Sequence, residues 1–335
     1  MTRATRRAWL GWTAALVMWP QAAHAVRREQ RVLFGSAVEL LLPDTAPTAA
    51  SEAVWHGLAT MNARWNAWKP GELDDLNTAL RAGRPHRPAP ALAETIRHAT
   101  ALEAASAGHF NPAIGGVVGA WGFHDDVMQP GTRPAAEAIE RWTAVRPSLA
   151  RLEWRGSTVR SSHRGVQIDL GAYAKGVALD WALERLQRLG VRDALLNLGG
   201  NLAAMGRIDG RAWQVGVRDP HRDALAARVA VQGREAVVTS GTYERWRLLD
   251  GQRFTHIIDP VTGQPAAGLD SVTVVHASAA LADAAATALL VAGPQRWREV
   301  AQRMGVDQVL VIDRTGVRDA TARMASRLAS GRRAA

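Results

Sequence analysis

Short apolar runs recur along this 335-residue chain, most of them closed by glycine, asparagine or hydroxyl residues, and they interleave irregularly with stretches of helical spacing. An apolar run of about five residues ended by a turn reads as a strand. Such runs fall at 165–170, 194–198, 213–217, 236–239, 271–276 and 308–312. Arg31 to Leu42 alternates, with Val32, Phe34, Val38, Leu40 and Leu42 on one side, as a half-buried strand does. Val54, Leu58, Met61 and Trp65 recur at helical spacing, and further helices are expected at 91–106, 174–189, 280–292 and 295–304. Gly108, Gly190, Gly293 and Gly305 supply the stops. Strands and helices mixed in this way give an α+β or mixed α/β fold, and neither a repeat nor a linker divides it.

The same residues exclude several nucleotide-binding plans. No two glycines stand at i and i+2, so the dinucleotide fingerprint G-x-G-x-x-G is impossible, and no Gly-Lys pair exists to make a P-loop. H-E-x-x-H and G-x-S-x-G are absent as well. With no cysteine, the chain has no disulfide, thiolate nucleophile or lipid-modified cysteine.

The ends differ from the body. Arg3, Arg6 and Arg7 precede an apolar run from Ala8 to Trp19, which leads through Pro20 to Ala23-His24-Ala25, the layout of a cleavable secretory signal over residues 1–25. The run is too short to span a bilayer, so a periplasmic protein with no stable membrane span is expected, exported by the Sec or the twin-arginine route and not a lipoprotein. Residues 26–320 form the expected single domain, and 321–335 a short, basic, flexible tail. The formal charge of +10 is spread without a basic block interleaved with aromatics, so no nucleic-acid partner is expected and a small anionic ligand fits better.

Five segments can carry chemistry. Asp283 and Thr287 lie four residues apart, on one face of an expected helix. Two hard oxygen donors suit Mg²⁺, although an acid in a first helical turn and a packed threonine fit the spacing too. Asp169 ends a strand, and Gly171-Ala172-Tyr173-Ala174-Lys175-Gly176 turns into the next helix. Its backbone amides and Lys175, one of two lysines in the chain, can receive phosphate, or the segment is a plain turn. Asn197-Leu198-Gly199-Gly200 permits a tight turn or a close ligand approach. Thr239-Ser240-Gly241-Thr242-Tyr243-Glu244-Arg245 offers hydroxyls that cap or bind. In His256-Ile257-Ile258-Asp259-Pro260, a histidine enters a stiff loop where it serves as a general base or as a structural hydrogen-bonding group. Upstream, Gly108-His109-Phe110-Asn111 runs toward Trp121-Gly122-Phe123, aromatics that cover a planar ring or fill the core.

The order of these segments, Asp-Leu-Gly-x-x-Ala-Lys-Gly, Asn-Leu-Gly-Gly, Thr-Ser-Gly-x-Tyr-Glu-Arg, His-Ile-Ile-Asp-Pro-x-Thr-Gly-x-Pro and Ala-Asp-x-x-x-Thr, closely resembles the FAD:protein FMN transferase (ApbE) family. The resemblance implies an α+β protein of tunnelling-fold type, with mixed sheets and flanking helices. It also implies a Mg²⁺-dependent enzyme that splits FAD, transfers FMN to a Thr or Ser hydroxyl of an acceptor flavoprotein through a phosphoester bond, and releases AMP. Carried over by position, Asp283, Thr287 and the Ala172 carbonyl are the implied metal ligands and His256 the implied base. Phe34, Trp68, His109, Phe110, Asn111, Asp169, Lys175 and Ile257 are the implied FAD contacts. The chain departs from the usual pattern at Phe34 (Met), Trp68 (Tyr), Asn111 (Asp), Val177 (Tyr), Asn201 (an acid) and Ala286 (Asp in some relatives). With Ala286 offering no ligand, Mg²⁺ is expected to bind well only together with FAD. An FAD-storage protein or an FAD pyrophosphatase would use the same pocket.

Overall fold

The computed structural model describes residues 15–17, 26–125 and 127–333. Eight strands form the main sheet: β2 (Val26–Leu33), β3 (Ser36–Pro43), β6 (Ala194–Leu198), β7 (Asn201–Met205), β10 (Arg234–Gly241), β13 (Leu269–His276), β14 (Val309–Asp313) and β15 (Arg318–Ala320). Their order is β15-β14-β13-β10-β7-β6-β3-β2, and every neighbouring pair is antiparallel. The remaining strands form smaller pieces. β1 (Ala15–Val17), β8 (Gln214–Arg218) and β9 (Leu225–Ala230) make a three-stranded sheet, while β4 (Leu152–Arg155) with β5 (Thr158–Ser161) and β11 (Trp246–Leu249) with β12 (Gln252–Thr255) are hairpins. The expected leader lies outside the described residues except for Ala15–Val17, which pairs with β8.

Both faces of the central strands are covered, which is why they read as near-continuous apolar runs. Leu40, Leu42, Leu196, Val238, Val272 and Val274 face one core. Helices α1 (Thr48–Arg64), α3 (Pro90–Ala105), α6 (Ala174–Arg188) and α7 (Ala279–Arg303) pack there. Leu41, Leu195, Val237, Val275 and Leu310 face a second core, closed by β8, β9 and α8 (Ala322–Arg333). Helices α2 (Glu72–Arg81), α4 (Gly115–Ala120) and α5 (Ala136–Ala144) complete the fold. Ile114, Val117, Trp121, Phe123, Ile139, Leu249 and Ile258 make a third, smaller core under the β11–β12 hairpin. The α+β class with a main sheet and flanking helices is as expected. Among the described residues no helix is long and apolar enough to cross a membrane.

Three sequence expectations change. Residues 31–42 are not one strand but a hairpin, turning at Phe34 (φ 53°) and Gly35 (φ 67°). A two-residue turn pairs even positions with odd ones and so swaps their faces, a swap hidden in the sequence because an exposed valine, Val32, stands in phase with the buried positions of β3. Val32 therefore pairs with Ala37, falls on the face opposite Val38 and is 74% exposed. Residues 165–170 join none of the sheets and instead run beside 112–115, with Gly115 N–H on Gln167 O (2.8 Å) and Asp169 N–H on Pro112 O (2.8 Å). The buried Asn77 clamps this segment, accepting from Ile168 N–H at 2.7 Å and donating to Ile168 O at 2.8 Å. The flexible tail expected from 321 onward is instead α8. Met324 is fully buried against the second core, and Arg327 pairs with both oxygens of Glu235 (3.0 and 2.6 Å), so packing on the sheet orders a run whose composition reads as frayed.

The two helices expected on either side of Gly293 are the halves of α7, which breaks where Gly293 takes φ 72° before Pro294. Its first half is locked to α6. Asp180 of α6 accepts from Ala279 N–H (2.8 Å), Ala280 N–H (3.0 Å) and the Ser278 hydroxyl (2.8 Å), so one carboxylate caps the start of α7. The approach is so close that a Cβ on Gly176 would sit 2.8 Å from Ala280 Cα, with the Ala279 carbonyl oxygen nearer still. Gly176→Ala should therefore overpack the α6–α7 contact and cost about 1–3 kcal/mol in urea unfolding. An unchanged midpoint would mean that the helices have room to part.

Candidate active site

Asp283 is the meeting point. It is 3% exposed on the first half of α7; one carboxylate oxygen accepts from Gly176 N–H (2.9 Å) and the other from the Asn201 side-chain amide (2.9 Å). Gly176 N–H is one of the first-turn amides of α6, which have no carbonyl partner within their own helix, and Asp283 satisfies it from α7. Burial pushes the Asp283 carboxyl up to about 6 against the opposing pull of Lys175 and of these two donors. One turn along α7, the Thr287 hydroxyl lies 3.3 Å from that of Ser240 on β10. Asp283 thus meets the start of α6, which follows the Ala172 turn, while Thr287 lies one turn further along α7 beside β10.

Lys175 links this corner to the next, since its charge acts on Asp283 and also on His256. His256 follows β12, and both its backbone N–H (3.1 Å) and its ring Nδ1 (3.0 Å) reach the Arg245 carbonyl. A carbonyl only accepts, so Nδ1 carries the proton and Nε2 keeps its lone pair. Burial, then the charges of Arg245 and Lys175, lowers the imidazole to about 3, so His256 is neutral at physiological pH. Phe123 meets its ring edge-on at 6.3 Å.

Asp169 ends the clamped segment. Gly171 N–H donates to one oxygen (2.8 Å), and His124 Nε2 lies 3.4 Å from the other. Burial alone would raise this carboxyl, but His124, the Gly171 amide and Arg245 hold it below its usual range. His124 in turn stacks on Trp68 (centroids 4.8 Å apart, planes at 13°), and the Arg245 guanidinium lies 5.9 Å from the Trp68 ring.

The remaining residues singled out from sequence divide. Phe34 sits at the β2–β3 turn, partly buried, its N–H on the Asn62 side chain at 2.8 Å. His109, depressed by burial and by Arg296, also feels the charge of Asp259 in the loop after His256. Phe110 is 1% exposed and packs on Tyr173 (5.8 Å), so its side chain belongs to the core and only its backbone is left for a ligand. The Asn111 amide is committed at both ends, to Pro147 O (2.8 Å) and Ala113 N–H (2.9 Å). Ile257 is buried and accepts from Ala266 N–H (2.8 Å). Sequence reasoning left out His124, Arg245, Ser240 and Asn201 as site residues. Arg245 and Asn201 stood inside or beside quoted motifs and carried that much signal, whereas His124 follows Trp121-Gly122-Phe123 with no local mark.

Fold and site together define an α+β protein whose polar centre lies where two helix starts meet a β-turn. The sequence profile of the ApbE family matches residues 34–310, and the chain belongs to that family. It is 42% identical over 299 residues to an FAD:protein FMN transferase of Rhodobacter capsulatus, covering 88% of this chain and 57% of that one. It is 38% identical over 229 residues to the one of Treponema pallidum, covering 64% and 63%. The chain thus spans about three fifths of the length of these relatives. Among solved structures, the ApbE protein of Thermotoga maritima superposes with a TM-score of 0.82 at 26% identity, over 90% of this chain and 99% of that one. The apo flavinyl transferase ApbE of Pseudomonas stutzeri gives 0.79 at 26% identity, over 92% and 99%.

An ionised Asp283 is a burden to the metal-free fold. The carboxyl titrates near 3.8 when unfolded and about 6 when folded, so above pH 6 its charge costs stability, and the cost fades as pH falls from 6 toward 3.8. In chelator, Asp283→Asn should be more stable than the parent by on the order of 2 kcal/mol at pH 8, the gap closing by pH 4. A variant less stable by the same amount at both pH values would show that the carboxylate is fully compensated.

Proposed function

We propose that this chain is an FAD:protein FMN transferase, cleaving FAD, attaching FMN to a Thr or Ser hydroxyl of an acceptor flavoprotein and releasing AMP. The observation that carries the reading is the pairing of an oxygen-donor corner at Asp283 with a neutral, tautomer-fixed histidine at His256, joined through Lys175. The transferases named among the relatives support the same reading and favour it over storage or simple hydrolysis.

The donor set suits Mg²⁺. Asp283, the Thr287 hydroxyl and the Ala172 carbonyl are hard oxygens, and the buried Asp283 takes its two hydrogen bonds from neutral donors. Among the described residues no cluster of three His, Asp or Glu is present, so a cation here needs substrate phosphate and water to complete its shell. When bound, Mg²⁺ supplies charge neutralisation for the pyrophosphate.

The chain's own residues do the rest. Lys175 and Arg245 put positive charge where two phosphates must lie, and the start of α6 adds its dipole. The arriving phosphates offset the field that depresses His256, so substrate makes it more basic. Nε2 takes the proton of the acceptor hydroxyl as that oxygen bonds to the FMN-side phosphorus. The bond from this phosphorus to the bridging oxygen breaks, and the oxygen leaves with AMP. Asp169, Trp68 and the backbones of Ile257 and the 109–111 stretch are the proposed walls for the rest of FAD, with Phe34 at the rim. Residues 1–25 are proposed to direct the chain to the periplasm, where its acceptor would be met.

Incubating the chain with FAD, Mg²⁺ and a candidate acceptor should give a fluorescent acceptor band and free AMP. Bound FAD with neither product contradicts the proposal, and FMN plus AMP without a labelled acceptor marks hydrolysis instead. His256→Ala should slow transfer by roughly 10²–10⁴ while FAD affinity changes only a few-fold; parallel loss of both would recast the histidine as structural. Asp283→Ala should abolish turnover, excess Mg²⁺ restoring little. Full activity of that variant in EDTA would refute the metal role.

A further inference from the structure

His124 is fixed from three sides, by residues from three parts of the chain. Its ring lies flat against Trp68, 4.8 Å between centroids with 13° between planes. Its Nε2 faces Asp169 at 3.4 Å, and Asp169 is itself held by Gly171 N–H at 2.8 Å. Behind it, α4 approaches so closely that a Cβ on Gly119 would stand 2.9 Å from Nδ1. The ring therefore cannot retreat, and Trp68 is backed by a rigid plate.

Two further facts point this arrangement at a ligand. Trp68 Nε1, a pure donor, is buried without a hydrogen-bond partner. The adjacent Phe123 also touches the ring of His256 edge-on at 6.3 Å, so the stack and the candidate base are neighbours through consecutive residues. An indole face with an idle N–H, beside a pyrophosphate corner, suits a planar heteroaromatic ring carrying acceptor oxygens or nitrogens.

We propose that His124 is a positioning residue for FAD. By stacking behind Trp68 it presents the indole as a fixed platform for one of the two planar rings of the substrate. The inference rests on the FMN-transfer reading of the site. What His124 contributes is ring surface, so another flat ring should replace it and a polar group of similar reach should not.

The test measures FAD affinity of the full chain by titration calorimetry, and FMN transfer in parallel, for His124→Ala, His124→Asn and His124→Phe. Ala and Asn should each raise the Kd for FAD about tenfold and raise KM in step, with kcat at saturating FAD changed far less. Phe should restore affinity to within about threefold of the parent. If Ala fails to fold, Asn and Phe decide between them. FAD affinity unchanged in Asn, or lost as fully in Phe as in Asn, overturns the proposal. A parent chain that binds FAD but transfers nothing would sink the transferase reading while leaving the affinity series to judge His124.

Discussion

The carboxylate of Asp283 is where this structure commits itself. It satisfies the Gly176 amide in the first turn of α6 and takes the Asn201 side-chain amide from the start of β7, joining α7, α6 and the main sheet at one buried point. Such a junction demands a glycine at 176, because any side chain there would strike α7. It also demands the Asp180 cap, which holds the start of α7 against α6 from the other side. Two neutral donors and the charge of Lys175 together do not offset the burial of this carboxylate, and its raised carboxyl records the deficit. A cation is the natural complement of that deficit.

The second half of the site depends on the β11–β12 hairpin. Its base carries Arg245 and His256 face to face, and the Arg245 carbonyl sets the tautomer of His256. The hairpin is anchored by Arg247, whose guanidinium donates to Trp121 O (2.8 Å) and Gln129 O (3.1 and 3.2 Å), and by Leu249 and Ile258 in the third core. Trp121 returns the tie by donating to Gly263 O at 2.7 Å. That small core holds the histidine loop in place, as the proposed role of His256 requires.

Much of the architecture was legible because each central strand is buried on both faces and so writes an uninterrupted apolar run. The chemistry-bearing turns were legible too, since Gly176, Gly199 and Gly263 are dictated by close contacts that no other residue tolerates. Phe34 was misread because the exposed Val32 continues the apolar alternation of β3 across a turn that in fact swaps the faces. Residues 165–170 have strand-like composition, yet their partners are the Asn77 side chain and an irregular neighbour, neither of which leaves a periodic trace. The order in α8 comes from Met324 and Arg327 meeting the sheet and Glu235, contacts across about ninety residues of sequence for the latter. His124 was missed for the same reason: its meaning lies in Trp68, Gly119 and Asp169, and only one of these is nearby in the chain.

The account stands or falls on what occupies the Asp283 corner. Crystals grown with FAD and Mn²⁺, a diffracting stand-in for Mg²⁺, should show one anomalous peak bonded to Asp283, the Thr287 hydroxyl and the Ala172 carbonyl, with FAD phosphate oxygens completing its shell. FAD bound with its pyrophosphate away from Asp283, or a peak on other residues, would contradict it.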